Sequence, residues 1–114
     1  DQLVINTAEN FPLTYGYSRE GLDRARLFDS SGNDVYSNSG LSVTFSGNDF
    51  ENRTEAFAYN EAYSLNGNDR AILEDSADDD ELLVRTEGVK LKYGSGEYFD
   101  VRSFDEVFAN SLNG

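Results

Sequence analysis

An internal repeat constrains the fold of this chain more than any other feature of its sequence. Residues 23–30 read Asp-Arg-Ala-Arg-Leu-Phe-Asp-Ser, and residues 69–76 read Asp-Arg-Ala-Ile-Leu-Glu-Asp-Ser. The tetrapeptide Ser-Leu-Asn-Gly occurs at residues 64–67 and again at 111–114. The two separations, 46 and 47 positions, differ by one residue, which a turn can absorb. Such a period predicts that one structural unit is used more than once.

The repeat divides the whole chain into two full copies and one partial copy. Repeat 1 comprises residues 23–68 and repeat 2 comprises residues 69–114. Residues 1–22 resemble the tail of an earlier copy, because Phe11 and residues 17–21 occupy the places of Phe57 and residues 63–67 in repeat 1. We therefore interpret the chain as a single segment of stacked repeats, with the layout expected of a piece cut from a longer array.

Within each repeat the pattern predicts strands joined by short turns. Residues 41–45 alternate apolar and polar side chains, and so do residues 89–93, which we match to them. The breaks combine Gly, Asn, Asp and Ser, as at residues 31–34 and 66–69, and such residues favour turns. Residues 50–63 allow either a short helix or strands, and we prefer strands. The sequence therefore predicts an all-β fold.

Two all-β architectures accommodate a repeat of 46–47 residues. The favoured one is a right-handed parallel β-helix, or β-solenoid, in which each repeat forms about two rungs of roughly 23 residues. The alternative is a β-sandwich in which the repeat is a duplicated half. We prefer the solenoid because a fractional number of copies does no harm to a stack, whereas a sandwich tolerates a missing half-copy less well.

The repeated residues resemble a known type of repeat. The run from Asp23 to Asp34 is similar to the Asp-x-Ala-x-Leu-x-Asp-Ser-x-Gly-Asn-Asp repeats of very large secreted bacterial surface proteins. The resemblance implies a parallel β-helix, a place outside the cell or on its surface, and neighbouring adhesive or calcium-binding modules. Repeat 2 departs from the motif, since residues 75–80 read Asp-Ser-Ala-Asp-Asp-Asp and lack its glycine.

The composition excludes several kinds of site. The chain has neither His nor Cys, which removes imidazole and thiolate metal ligands, disulfides and cysteine nucleophiles. Its formal net charge of -13 argues against nucleic-acid binding, which needs clustered Lys and Arg. No apolar run approaches the roughly 20 residues that span a bilayer, so we expect no membrane insertion. Acidic pairs arise by chance in such a chain, and we predict that it is not an enzyme.

The acidic turns are candidate calcium sites because calcium prefers six to eight oxygen ligands. Turn residues of repeat 1 offer carboxylate and amide oxygens, and the matching turn of repeat 2 is richer in carboxylates. In a solenoid the two turns would lie on one side of the stack. The competing interpretation is a pair of solvated turns whose Asp and Asn side chains serve turn geometry. The predicted metal ligands are Asp29, Asn33, Asp34, Asp75, Asp78, Asp79 and Asp80.

These observations favour a non-catalytic extracellular repeat module that acts as a structural or adhesive spacer stiffened by cations. The first alternative is a self-assembling filament subunit, in which identical subunits rather than neighbouring repeats cover the open sheet edges. The second is a calcium-dependent carbohydrate-binding module whose tyrosines contact surface glycans. The expected partners are accordingly neighbouring repeats, identical subunits end to end, or glycans.

Overall fold

The protein is all-β throughout the part that the structure, a computed structural model, describes, namely residues 11–19 and 22–111. The all-β prediction is therefore confirmed. No helix long and apolar enough to cross a membrane occurs within these residues. The remainder of the partial copy 1–22 and the last three residues of repeat 2 lie outside the described residues. The strands are β1 Leu13–Tyr17, β2 Arg24–Phe28, β3 Val35–Ser39, β4 Ser42–Ser46, β5 Glu51–Glu55, β6 Tyr59–Tyr63, β7 Arg70–Glu74, β8 Glu81–Val84, β9 Gly88–Lys92, β10 Tyr98–Arg102 and β11 Glu106–Asn110.

The strands form two mixed sheets. The six-stranded sheet has the order β1-β5-β4-β3-β7-β11, and the five-stranded sheet has the order β2-β6-β10-β9-β8. Each sheet combines parallel pairs, such as β3–β7, with antiparallel hairpins, such as β3–β4. The predicted right-handed parallel β-helix is therefore not what the sheets form, because every rung of such a helix would pair in parallel. The arrangement is β-sandwich-like and fits the alternative that we stated.

Each repeat contributes five strands, and the two repeats use the sheets in opposite ways. In repeat 1, β2 and β6 lie in the five-stranded sheet while β3, β4 and β5 form a meander in the six-stranded sheet. In repeat 2, β7 and β11 lie in the six-stranded sheet while the meander β8, β9 and β10 lies in the five-stranded sheet. Repeat 2 thus follows from repeat 1 by a half-turn that exchanges the sheets and reverses the strands.

The strand registers recur with this half-turn. In the first hairpin of repeat 1, Val35 pairs with Ser46, and in the first hairpin of repeat 2, Glu81 pairs with Lys92. Each residue of the second pair lies 46 positions after its counterpart. The match places Val43 in the position of Val89, so our sequence match of residues 41–45 with residues 89–93 was wrong by two positions.

The core is shared between the sheets and between the repeats. Phe45 of β4 is fully buried and lies 5.6 Å, ring to ring, from Phe104 of repeat 2. Tyr36 of β3 contacts the same Phe104 ring edge-on at 6.2 Å. The buried cluster comprises Tyr36, Val43, Phe45, Ala62, Ala71, Leu73, Leu91, Tyr93, Phe99 and Val101.

Two equivalent crossovers hold a residue with a positive φ angle. Ala56 follows β5 with φ 65°, and Ser103 follows β10 with φ 64°. The backbone N–H of Ala56 donates to the Leu41 carbonyl, and that of Ser103 donates to the Glu87 carbonyl. These hydrogen bonds hold both residues in a left-handed conformation that disfavours any side chain.

We predict that Ala56→Gly stabilises the fold by roughly 0.5–1 kcal/mol, because the relief of left-handed strain exceeds the added entropy of the unfolded chain. Urea unfolding monitored by circular dichroism measures the change in the free energy of unfolding. The control is Ala62→Gly in the buried centre of β6, which we expect to destabilise by about 1 kcal/mol or more. Destabilisation by Ala56→Gly would contradict the argument.

Candidate functional site

An aspartate stands immediately before most of the strands that the chain enters by crossing between sheets. The described chain crosses from one sheet to the other six times, and only the strand entered by the crossover from β5 to β6 has no aspartate directly before it. The aspartates therefore mark the arches, meaning the loops that carry the chain from one sheet to the other. The five arch aspartates are Asp23, Asp34, Asp69, Asp80 and Asp105.

A serine four or five residues earlier clamps four of these arches. Ser30 donates to the Asp34 carboxylate through its backbone N–H at 2.6 Å and through Oγ at 2.9 Å. Ser76 and Asp80 form the same clamp 46 positions later, with an Oγ–Oδ1 distance of 2.7 Å. Ser18 bonds to Asp23 and Ser64 bonds to Asp69 in the same sense. The serine fixes the aspartate, and the aspartate satisfies donors that the turn exposes.

The arches at one end of the sandwich are also bonded to one another. The strands β3, β7 and β11 run parallel, so the arches that lead into them lie side by side. The backbone N–H of Asp34 donates to Asp69 Oδ1 at 2.7 Å, and the backbone N–H of Asp69 donates to Asp105 Oδ2 at 2.7 Å. Each carboxylate thereby ties its arch to the previous one.

Three carboxylates come together at this end. Oxygens of Asp29, Asp34 and Asp69 all lie within 4.8 Å of one another. Asp34 and Asp69 are buried, while Asp29 is half-buried. Asp34 and Asp69, together with Asp105, line an open depression of about 400 Å³. Three carboxylates this close together can contribute oxygen ligands to a divalent cation such as calcium.

Hydrogen bonds already satisfy much of this cluster. Asp29 Oδ2 accepts from the backbone N–H groups of Leu65 at 2.7 Å and Asn66 at 2.8 Å. Burial raises the pKa of Asp69, and the nearby Asp29 and Asp34 add to the rise, although bonds from Ser64 and the Asp34 N–H oppose it. The main cause of the raised pKa is therefore the desolvation of the carboxylate, and the neighbouring carboxylates contribute less.

Only part of the predicted ligand set is brought together. Asp29 and Asp34 belong to the cluster, but the Asn33 Oδ1 atom accepts from the backbone N–H of Asn68 and serves the packing of two arches. Sequence reasoning missed Asp69 as a member of the cluster. Its signal was the Ser64–Asp69 spacing, which repeats the spacing of Ser18 and Asp23.

The second acidic turn lies at the opposite end of the strands. Residues 29–34 lead into the start of β3, whereas residues 75–80 leave from the end of β7, which runs parallel to β3. Our expectation that the two turns share one side of a stack was therefore wrong. Among the described residues, Asp75, Asp78 and Asp79 form no three-carboxylate cluster with Asp80.

In that turn Asp80 acts as an arch clamp. Burial acts to raise the pKa of Asp80, but hydrogen bonds from the Ser76 hydroxyl and from the backbone N–H groups of Ser76 and Gly94 together outweigh it. The pKa of Asp80 consequently lies below its usual range. Since these bonds favour the ionised carboxylate, Asp80 stabilises the fold when it is charged.

The tyrosines divide between the core and the outer faces. Tyr36 and Tyr93 are buried, and burial raises the pKa of Tyr93 to about 12. On the outer face of the five-stranded sheet, Tyr59 stacks on Tyr98 with 4.9 Å between ring centroids, and the ammonium of Lys90 lies 4.1 Å from the Tyr98 ring. Glycan binding by exposed tyrosines stays a prediction.

Comparisons of the chain with protein-family models, with curated proteins and with solved structures find no match.

We predict that Asp80→Asn destabilises the protein at pH 7 by about 1–2 kcal/mol, since a charged clamp is replaced by a weaker acceptor. A carboxyl with a lowered pKa stabilises the fold above its unfolded pKa, and that stability is lost as pH falls through the folded value. The variant should therefore lose less stability on acidification than the parent protein does. Urea unfolding between pH 7 and pH 3 measures both effects.

Asp79→Asn is the matched control because it removes the same charge from an exposed position in the same arch. We expect it to change the free energy of unfolding by less than about 0.5 kcal/mol. Equal effects of the two substitutions would show that net charge, and not the clamp, governs the stability of this arch.

Proposed function

We propose that the chain is a non-catalytic structural repeat module that serves as a spacer or adhesive stalk outside the cell. The observation that carries this proposal is the boundary between the repeats, which is built from backbone strand pairing. Across it, β3 pairs with β7 and β6 pairs with β10, both in parallel. A boundary of this kind transmits load through the main-chain hydrogen bonds between the paired strands.

The shared core supports the same proposal. Phe45 and Val43 of repeat 1 pack in one buried cluster with Phe99 and Val101 of repeat 2. In a repeat protein, such contacts between neighbours contribute the stability that an isolated repeat lacks. The two repeats should consequently bear load as one unit.

The extracellular location rests on the resemblance to repeats of secreted bacterial surface proteins. The acidic arches suit a medium that supplies salt and calcium, because cations screen the repulsion among the carboxylates. The formal net charge of -13 supports partners other than nucleic acid.

We predict that the chain, pulled through its two termini, unfolds in one step that releases roughly 300 Å of contour length. The reason is that both repeats share one core and one set of parallel strand pairs. Force spectroscopy on the single chain measures the step size and the rupture force. Two separate steps of roughly 150 Å each would contradict a single load-bearing unit.

Ile72→Pro is the variant that tests the boundary, because proline in a central strand removes a ladder hydrogen bond. Ile72 lies in β7 opposite Ser37 of β3. We expect a lower rupture force or a split transition. Thr86→Pro, in the exposed turn between β8 and β9, is the control and should preserve the single step.

Calcium binding is proposed at one place, the cluster of Asp29, Asp34 and Asp69. A cation there would offset the repulsion that contributes to the raised pKa of Asp69. The same cation would join two arches from different crossovers, since Asp34 precedes β3 and Asp69 precedes β7. Stiffening of this end of the sandwich follows if calcium binds.

We predict that millimolar calcium raises the melting temperature relative to chelator, because a ligand selective for the native state stabilises it. The Asp69→Asn variant should lose this shift. Asp78→Asn, which removes a charge from the opposite end, should keep it. An equal calcium response of all three proteins would mean non-specific screening, and no response in any of them would reject the site.

A further inference from the structure

The edge strand β8 exposes apolar side chains at positions that are buried in the equivalent strand β3. Tyr36 of β3 is 0% exposed, whereas Leu82, which lies 46 positions later, is 47% exposed. Asn38 is 3% exposed, whereas its counterpart Val84 is 70% exposed. The difference arises because β7 covers the outer edge of β3, while no described strand pairs with the outer edge of β8.

The edge strand β11 shows the same difference from its equivalent strand β6. Ala62 of β6 is fully buried between β2 and β10, but Ala109 at the matching position is exposed. Phe108, in the position of Glu61, is also exposed. Only one side of β11 is paired among the described strands, by β7. Leu82 of β8 and Ala109 of β11 line the same depression, so the two edge strands border one surface, which we call the β8–β11 face.

We propose that the β8–β11 face docks a second copy of residues 23–114, that is, two further repeats without β1, which add their β2 to β8 and their β5 to β11 in parallel. The proposal rests on the structural role proposed above and names its partner. Inside the chain, the next repeat makes these two contacts, with β7 on β3 and β10 on β6. Docking therefore continues an interface that already exists.

The side chains on β8 fit this register. The pairing of Val35 with Arg70 and of Tyr36 with Ala71 defines it. Transferred by one repeat, it sets Glu81 opposite Arg24 of the docking copy and Leu82 opposite its Ala25. The first pair joins opposite charges, and the second covers an exposed leucine with a small apolar side chain, as Ala71 covers Tyr36.

The side chains on β11 fit as well. Inside the chain, β1 pairs with β5, and the Arg53 guanidinium lies 5.9 Å from the Tyr15 ring centroid. In the docked pair Phe108 takes the position of Tyr15 and faces Arg53 of the docking copy. Phe108 already receives Arg70 at 5.5 Å, so its ring would lie between two guanidinium groups.

The docking copy also completes the second acidic arch. Asp29 and Asp34 meet Asp69 at the first residue of the next repeat. The equivalent arch holds Asp75 and Asp80, and the docking copy would bring its Asp23 to the position of Asp69. Docking would therefore form at this end a counterpart of the cluster of Asp29, Asp34 and Asp69.

In the intact chain, β1 occupies the edge of β5 that docking requires. A copy that begins at Asp23 presents this edge without obstruction. The test is a tandem protein in which the full chain is followed by one asparagine and then residues 23–114. The asparagine stands in for Asn68, which follows Ser-Leu-Asn-Gly in repeat 1.

We expect the tandem protein to unfold in a single thermal transition, with a melting temperature at least about 5 °C above that of the single chain. Small-angle scattering should show one rod. Its length should exceed that of the single chain by about 24 Å, because two repeats add five strands to each sheet at about 4.8 Å per strand.

Leu82→Asp in the first copy should divide the transition into two and restore the melting temperature of the single chain. Leu83→Asp is the matched control, since Leu83 is 45% exposed on the same strand but faces the other side of the sheet. In the isolated chain both substitutions should have similar, small effects.

Two independent transitions in the unsubstituted tandem, or an appended copy that remains unfolded, would overturn the proposal. A second tandem protein, in which a ten-residue Gly-Ser linker replaces the asparagine, tests whether strain at the junction prevents docking. The same two outcomes in this protein would also overturn the proposal. The pulling experiment on the single chain needs no second copy. A chain that resists force but does not dock therefore rejects this inference alone.

Discussion

The structure depends on one constraint, which is that a single repeat cannot cover its own apolar surface. Each repeat places a three-stranded meander in one sheet and only two strands in the other. The meander that carries Val43 and Phe45 therefore needs Phe99, Val101 and Phe104 from the next repeat. Parallel pairing of β3 with β7 and of β6 with β10 brings those residues into place. The strand pairing and the half-turn between the repeats consequently determine how the shared core packs.

The arch aspartates explain how so acidic a chain can cross between the sheets six times within its described residues. A crossover exposes backbone N–H groups that neither sheet can satisfy, and a buried carboxylate accepts from several of them at once. Asp34 accepts from Ser30, and its own N–H donates to Asp69. Acidic residues thus contribute to the fold wherever backbone donors surround them. Where carboxylates crowd instead, as at Asp29 and Asp69, the same residues oppose one another.

The sequence predicted the strands but not their sheets. The alternation in residues 41–45 identifies a strand of period two, and residues 51–55 form the strand that we preferred over a helix. A period of two does not reveal which strand pairs with which. Ala25 and Ala71, for example, occupy matching positions in the two repeats but lie in opposite sheets. The sequence identified the acidic turns. That they lie at opposite ends of the strands, and that Asp69 joins one of them, depends on the strand directions, which only the strand pairing shows. The parallel β-helix was inferred from a repeat that the half-turn explains equally well.

The half-turn also bears on the charge of a longer stack. In a one-sided solenoid, acidic turns separated by about two rungs would lie roughly 10 Å apart, which is close to the Debye length in physiological salt. Here the arch at residues 29–34 and its counterpart at residues 75–80 lie at opposite ends. The same arch would return to the same end only after two repeats, at about 24 Å, where salt screens most of the repulsion. In a longer stack, alternation between the ends would therefore permit acidic arches to recur. The repulsion that remained would be local to each cluster, where a bound cation would act most strongly.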